Sequence, residues 1–214
     1  YEFDIHPATK EALPNIIDNM VQRVIGIETP DSNLEKNYTR QRNIGIVFSG
    51  GPAPGGHNVI AGLFDAMKKA NPENRLLGFI MGPEGILEKD FIELDEALIK
   101  KYRNRGGFSM IKTGRTKIDS KEKMAQAREN CKEMNLDAIV IVGGDDSNTN
   151  AAFLAQELIN DGIQVLGVPK TIDGDVQVKD KNNKILCAMS FGFHTAARAF
   201  AQSISNLCSD SSSD

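Results

Sequence analysis

The chain has 214 residues, 40% hydrophobic and 25% charged, a balance that excludes disorder, collagen and an extended coiled coil. Its 25 basic and 29 acidic residues leave a net charge of −4, with no basic footprint for nucleic acid. No run approaches the roughly 18 consecutive apolar residues of a membrane-spanning helix. Cys131, Cys187 and Cys208 lie far apart, which suits a reducing compartment better than a disulfide framework. The opening Tyr1-Glu2-Phe3-Asp4 lacks a basic start, an apolar run and an initiator Met. No secretory signal is therefore expected, and the N-terminus reads as a cut end.

Residues 1–42 read as a helical lead-in and connector. An amphipathic helix is predicted over 8–24, with Leu13, Ile16, Ile17, Met20, Val21 and Val24 on one stripe and Pro14 in its first turn. Residues 29–42 are polar and read as connector. From Asn43 the pattern becomes short apolar runs alternating with helical stretches. Strands are predicted at 44–48, 76–81, 91–94, 138–142 and 165–168. Helices are predicted at 59–70, 96–102, 120–134, 148–160 and 191–207. The first buries Ile60, Leu63, Phe64 and Met67. The third buries Met124, Ala127, Cys131 and Met134, with Asp119 and Glu122 at capping-box spacing. The acidic stretch 84–96 reads as a solvated face. This order predicts an α/β fold over 43–214: a Rossmann-like parallel sheet with helices on both faces. Ligands of such sheets bind at the carboxyl ends of the strands, so the loops there carry the functional argument.

Three of those loops carry chemistry. The first, residues 49–58 (SGGPAPGGHN), is glycine-rich and leads into a helix. Its backbone N–H groups and helix dipole suit a phosphate, although it is neither a Walker A loop nor GxGxxG. A ligand-free tight turn is an equal alternative. The second, residues 142–149 (VGGDDSNT), sets Asp145 and Asp146 at a helix start, where they suit a hard cation such as Mg²⁺ beside a phosphate. Simple capping by Asp146 or Ser147 is the alternative. The third, residues 169–175 (PKTIDGD), holds Asp173 and Asp175 one residue apart, one able to accept a hydroxyl proton. Lys170 there is a cation suited to phosphate. A solvated acidic turn explains this loop equally well. Arg115, after Thr113-Gly114, is a fourth candidate for gripping phosphate. His6, His57 and His194 lack metal-ligand spacing, and Ser49 and Ser190 lack a nucleophile elbow.

Taken together, SGGxAPGxN, GGDDS and PKTIDxD resemble the phosphofructokinase family, from about Asn43 to the end of the chain. The resemblance is strongest to the pyrophosphate-dependent branch. ATP-using members have Gly where this chain has Asp146, and typically Gly where it has Lys170. A carboxylate at 146 would crowd and repel the α-phosphate of a nucleotide, while pyrophosphate ends where that group begins. The resemblance implies Gly51 and Arg115 at the phosphoryl donor, Asp145 at Mg²⁺, and Asp146 with Lys170 as the donor-selecting pair. It puts Thr171, Ile172, Asp173 and Asp175 at the sugar phosphate, with Asp173 as base for the sugar's 1-hydroxyl. The implied reaction moves a phosphoryl group from pyrophosphate to fructose 6-phosphate, in a cytoplasmic homo-oligomer (dimer or tetramer). It also implies a first part of a longer enzyme: the family's Met-Gly-Arg motif is absent, so the sugar site is expected to be incomplete and some apolar surface uncovered. Pro52 and His194 depart from the family pattern. The rivals are an ATP-dependent member and a non-catalytic regulatory subunit; the latter is expected to have lost one of Asp145, Asp173 or Lys170. A redox Rossmann domain lacks its glycine fingerprint.

Overall fold

The computed structural model describes residues 3–18 and 32–213. The first helix, α1 (Pro7–Ala12), is capped by His6, whose Nδ1 accepts from the Ala8 N–H at 3.2 Å. It is shorter than the predicted 8–24 helix. Pro14 disfavours helical backbone at Leu13, which sits at φ −129°, ψ 51°. Residues 19–24 of that expectation lie outside the described residues. Asn15 ties the segment to the body through a 2.9 Å hydrogen bond from its N–H to Gln156 Oε1. Part of the expected connector is a helix, α2 (Ser32–Thr39), secured by the Arg42 guanidinium, which donates to the carbonyls of Asn37 and Tyr38.

The body follows in the order β1 (Asn43–Phe48), α3 (Gly56–Ala70), β2 (Arg75–Phe79), α4 (Glu84–Glu88), β3 (Phe91–Glu93), α5 (Glu96–Tyr102), α6 (Lys121–Glu133), β4 (Ala138–Gly143), α7 (Asp145–Leu158) and β5 (Gln164–Thr171). A short hairpin of β6 (Val178–Lys179) and β7 (Ile185–Cys187) precedes β8 (Phe191–Gly192) and α8 (Phe193–Ser211). The main sheet runs β3-β2-β1-β4-β5-β8. β1, β2, β4, β5 and β8 are parallel, whereas β3 pairs antiparallel with β2. The sheet is therefore mixed at one edge, a departure from the all-parallel expectation. An apolar run has the same pattern in either direction, and the short return through α4 reverses the chain.

Strand alternation sorts the core into two layers. Ile46, Phe48, Val140 and Val142 face one side and pack with Ile60, Phe64 and Met67 of α3 and Ile99 of α5. Val47, Ile139 and Ile141 face the other, against Ala127 and Cys131 of α6 and Ala151, Leu154 and Leu158 of α7. The acidic stretch is not simply a solvated face: Gly85, Ile86 and Leu87 of α4 are buried in this second layer. Burial also pushes the Cys131 thiol up to about 12, so it acts as a packing group. Helix α6 is capped by Ser120, whose side chain accepts from the Lys123 N–H, and not by Asp119, which pairs with Lys123. Apolar surface lies open on β5 and α8, with Leu166, Phe200, Ile204 and Leu207 exposed. Among the described residues, no helix is long and apolar enough to cross a membrane.

Candidate active site

Sheet order places the chemistry. From β1 the chain winds outward through β2 and β3; it then returns to the other side of β1 with β4 and continues to β5. The crevice at the carboxyl ends of β1 and β4 is thus the point where strand order reverses, the usual ligand site of such sheets. A pocket of about 630 Å³ opens there. Gly51, Arg115, Asp145, Asp146, Lys170, Thr171, Ile172, Asp173 and Asp175 all line it. Every site residue singled out in the sequence is therefore brought to one cavity, from segments as far apart as Gly51 and Asp175.

Close backbone approach builds the pocket. The Ser49 N–H donates to the Val142 carbonyl at 2.9 Å, and Ser147 Oγ lies 2.9 Å from Ser49 Oγ, which joins the first two loops. A Cβ on Gly143 would lie 2.3 Å from Ser147 Cβ and 2.9 Å from the Ser49 carbonyl, so only glycine permits this junction. The segment carrying Arg115 is laced to the first loop. The Gly50 N–H donates to the Gly114 carbonyl at 2.9 Å, and Thr113 Oγ1 donates to the Gly50 carbonyl at 2.7 Å.

The helix start after the first loop serves packing, not the pocket. The His57 N–H donates to the Gly107 carbonyl, and the buried His57 Nε2 accepts from the Met110 N–H at 3.0 Å. Only residues 49–52 of that loop reach the cavity. The phosphate reading of its helix dipole is corrected accordingly: segment 107–110 covers the N-terminus of α3. Burial lowers the His57 pKa. The start of α7, by contrast, lies at the pocket, with Gly144, Asp145, Asp146 and Ser147 in its lining. Gly144 is the N-cap and contributes no side-chain bond, so neither Asp146 nor Ser147 caps the helix. Both carboxylates sit in the first turn, where the helix dipole favours them.

Lys170 is the buried cation of the site, only 7% exposed. Its Nζ donates to the Gly51 carbonyl at 2.5 Å and stands 5.8 Å from the centre of the Phe108 ring. Burial lowers its pKa; the Asp173 charge opposes that shift, and the Arg115 charge adds to it. The charge is thus held by a carbonyl and a ring face, beside a carboxylate and a guanidinium that act at a distance. Asp173 is exposed, and its N–H donates to Thr171 Oγ1 at 3.0 Å, which fixes the turn.

Sequence reasoning missed Lys117. It lines the same pocket, and its Nζ lies 3.0 Å from Asp146 Oδ2. The hydrogen bond to Asp146 raises the Lys117 pKa, and the charges of Asp146, Asp119 and Asp145 add to that. The available signal was spacing: two positions after Arg115, it shares a side with it in extended backbone. Ser49, Thr116 and Asn150 also line the cavity.

Among the described residues, no cluster of three or more His, Cys, Asp or Glu could hold a metal ion by itself. A lone Asp145 with Asp146 engaged by Lys117 fits Mg²⁺, which binds through one or two carboxylates, waters and substrate phosphates.

The phosphofructokinase family model matches residues 43–214. A pyrophosphate–fructose 6-phosphate 1-phosphotransferase of Porphyromonas gingivalis is 53% identical over 173 residues, which is 80% of this chain and 30% of that protein. The subunit beta 2 of the enzyme of that name in Arabidopsis thaliana is 40% identical over 97% of this chain and 35% of its own length. The Pichia pastoris phosphofructokinase structure in the T-state superposes with a TM-score of 0.66, at 21% identity, over 81% of this chain and 20% of that one. The chain thus spans about a third of the length of these curated relatives. With the family motifs gathered around one pocket and the family model matched from Asn43 onward, this chain belongs to the phosphofructokinase family.

Proposed function

We propose that residues 43–214 form the phosphoryl-donor domain of an enzyme that transfers a phosphoryl group from pyrophosphate to the 1-hydroxyl of fructose 6-phosphate. The observation that carries this reading is the meeting of Asp146, Lys170 and Asp173 in one cavity. The relatives' names support the same donor and acceptor.

The residues divide the work. Asp173, exposed in a turn held by Thr171, takes the proton from the sugar hydroxyl. The sugar oxygen forms a bond to the near phosphorus of pyrophosphate, and the bridging P–O bond breaks to release phosphate. Asp175, in the same turn, assists Asp173 at the sugar side. Lys170 and Arg115 offset charge on the transferring group and on the leaving phosphate. Gly51 lets the donor approach the backbone closely. Asp145 would hold Mg²⁺, which would supply further charge neutralisation when bound. Asp146 stands where an α-phosphate would extend and excludes ATP by repulsion. The reading extends to a cytoplasmic enzyme that assembles as a homo-oligomer. The sparse cysteines support the compartment, and the subunit in the plant relative's name supports assembly.

The test is turnover of fructose 6-phosphate by the full-length protein in Mg²⁺, with pyrophosphate and with ATP. Turnover with pyrophosphate alone is expected. Turnover with ATP alone would overturn the donor, and silence with both would favour a regulatory subunit.

A further inference from the structure

We propose that Lys117 is a specificity-determining residue of the donor pocket: it holds Asp146 and offsets its charge, so that this carboxylate rejects a longer donor without rejecting pyrophosphate. The inference rests on the donor reading above and adds a residue to it.

The problem it solves is electrostatic. A carboxylate that repels an α-phosphate also repels pyrophosphate, which is itself a multiply charged anion. The pocket lining holds four carboxylates, Asp145, Asp146, Asp173 and Asp175. Among the described lining residues, Arg115 and Lys170 alone leave these four carboxylates two charges in excess; Lys117, the third cation, cuts the excess to one. It sits on the one carboxylate that the donor reading gives a repulsive role, at 3.0 Å. Asp146 then presents a fixed and partly neutralised wall: bulk and residual charge stop a nucleotide, while the short donor meets a lower barrier.

The pair also has anchored backbones, unlike an incidental surface contact. Asn150 of α7 binds residue 118 twice: its Oδ1 accepts from the Ile118 N–H at 3.2 Å, and its Nδ2 donates to the Ile118 carbonyl at 2.7 Å. Lys123 Nζ donates to the Lys117 carbonyl at 3.1 Å, and Thr116 Oγ1 donates to Glu84 Oε2 at 3.3 Å. Lys117 is therefore tethered to the helix whose first turn carries Asp146, and less entropy is lost in holding the pair. The other charged groups that act on Lys117 are Asp119 and Asp145; Lys123 engages Asp119. Both side chains of the pair remain exposed, 55% for Lys117 and 75% for Asp146, so a donor can reach them.

The test is steady-state kinetics of the full-length enzyme with Lys117→Met, Lys117→Arg, Asp146→Gly, and Lys117→Met combined with Asp146→Gly. Lys117→Met is expected to raise the KM for pyrophosphate about tenfold, with kcat within about threefold, because it weakens donor binding more than the chemical step. Lys117→Arg is expected to restore KM. In the Asp146→Gly background, Lys117→Met is expected to change KM by no more than about threefold, since its carboxylate partner is gone. A KM unchanged in Lys117→Met, or an equal effect in both backgrounds, overturns the assignment alone. A wild-type enzyme that uses ATP and not pyrophosphate, or neither, overturns the donor reading and this assignment with it.

Discussion

The floor and the rim of the pocket each hold a lysine, and the two are held in opposite ways. Lys170, at the floor, is buried against the Phe108 ring and a backbone carbonyl, with no carboxylate among the described residues in direct contact. Lys117, at the rim, is exposed and sits on Asp146. Burial has pulled the pKa of the first down, while its hydrogen bond to Asp146 has pushed that of the second up. A buried cation without an ionic partner costs stability in the free protein, and an arriving anion offsets that cost. An exposed pair costs little and acts through the field it shapes. On the proposed reading, the floor stores binding energy for the transferring group, while the rim sets which donor enters.

The largest effect expected is at neither lysine. Asp173→Asn removes the proposed proton acceptor and is expected to lower kcat about 10²- to 10⁴-fold, with pyrophosphate binding retained by calorimetry. Retained turnover would leave Asp173 without the base role. Lys170→Met comes next: kcat/KM for pyrophosphate is expected to fall about 10²- to 10³-fold, the range for losing one preorganised charge-stabilising group. The unliganded variant is expected to melt no earlier than the wild type, because a buried charge has been removed. An early-melting variant would show that Lys170 supports the fold.

The direction of the Lys170 shift adds a pH test. Its folded pKa lies below the 10.5 of an ordinary lysine, so between those two values the unfolded chain binds more protons. Stability of the free protein should therefore rise with pH through that window. Pyrophosphate affinity should fall through the same window, as the cation is lost. Lys170→Met should flatten both curves. Wild-type curves without this opposition would break the contrast between floor and rim.

Smaller effects probe the scaffold and the rim. Gly143→Ala drives a methyl into Ser147 and the Ser49 carbonyl, and is expected to cost about 1–3 kcal/mol in denaturant unfolding. Lys117→Met is expected to lower stability only slightly in denaturant unfolding, since both partners are largely exposed. A larger loss would make the pair structural and blur its difference from the floor.

The central strands and the site loops were legible because their signals are local. Residues 44–48 and 138–142 are apolar without interruption, as strands covered on both faces must be, and the glycine and aspartate loops follow them directly. Other features lacked such a signal. The direction of β3 is not encoded in its apolar pattern, and α4 is five residues with an acidic sequence that hides Ile86 and Leu87. Helix α7 begins at Asp145, three residues before its predicted start, because acidic side chains favour the first turn even where none caps it. Lys117 stayed hidden for a different reason. Its partner lies 29 residues away, and only the fold brings the two together.

The most direct test of the account follows the phosphorus itself. Full-length protein, Mg²⁺ and fructose 6-phosphate would be incubated with ³²P-labelled pyrophosphate, and the products separated. Label is expected in both the sugar bisphosphate and free phosphate, one for one, with none moved from γ-labelled ATP. Label that reaches the sugar only from ATP, or that leaves pyrophosphate solely as free phosphate, would contradict it.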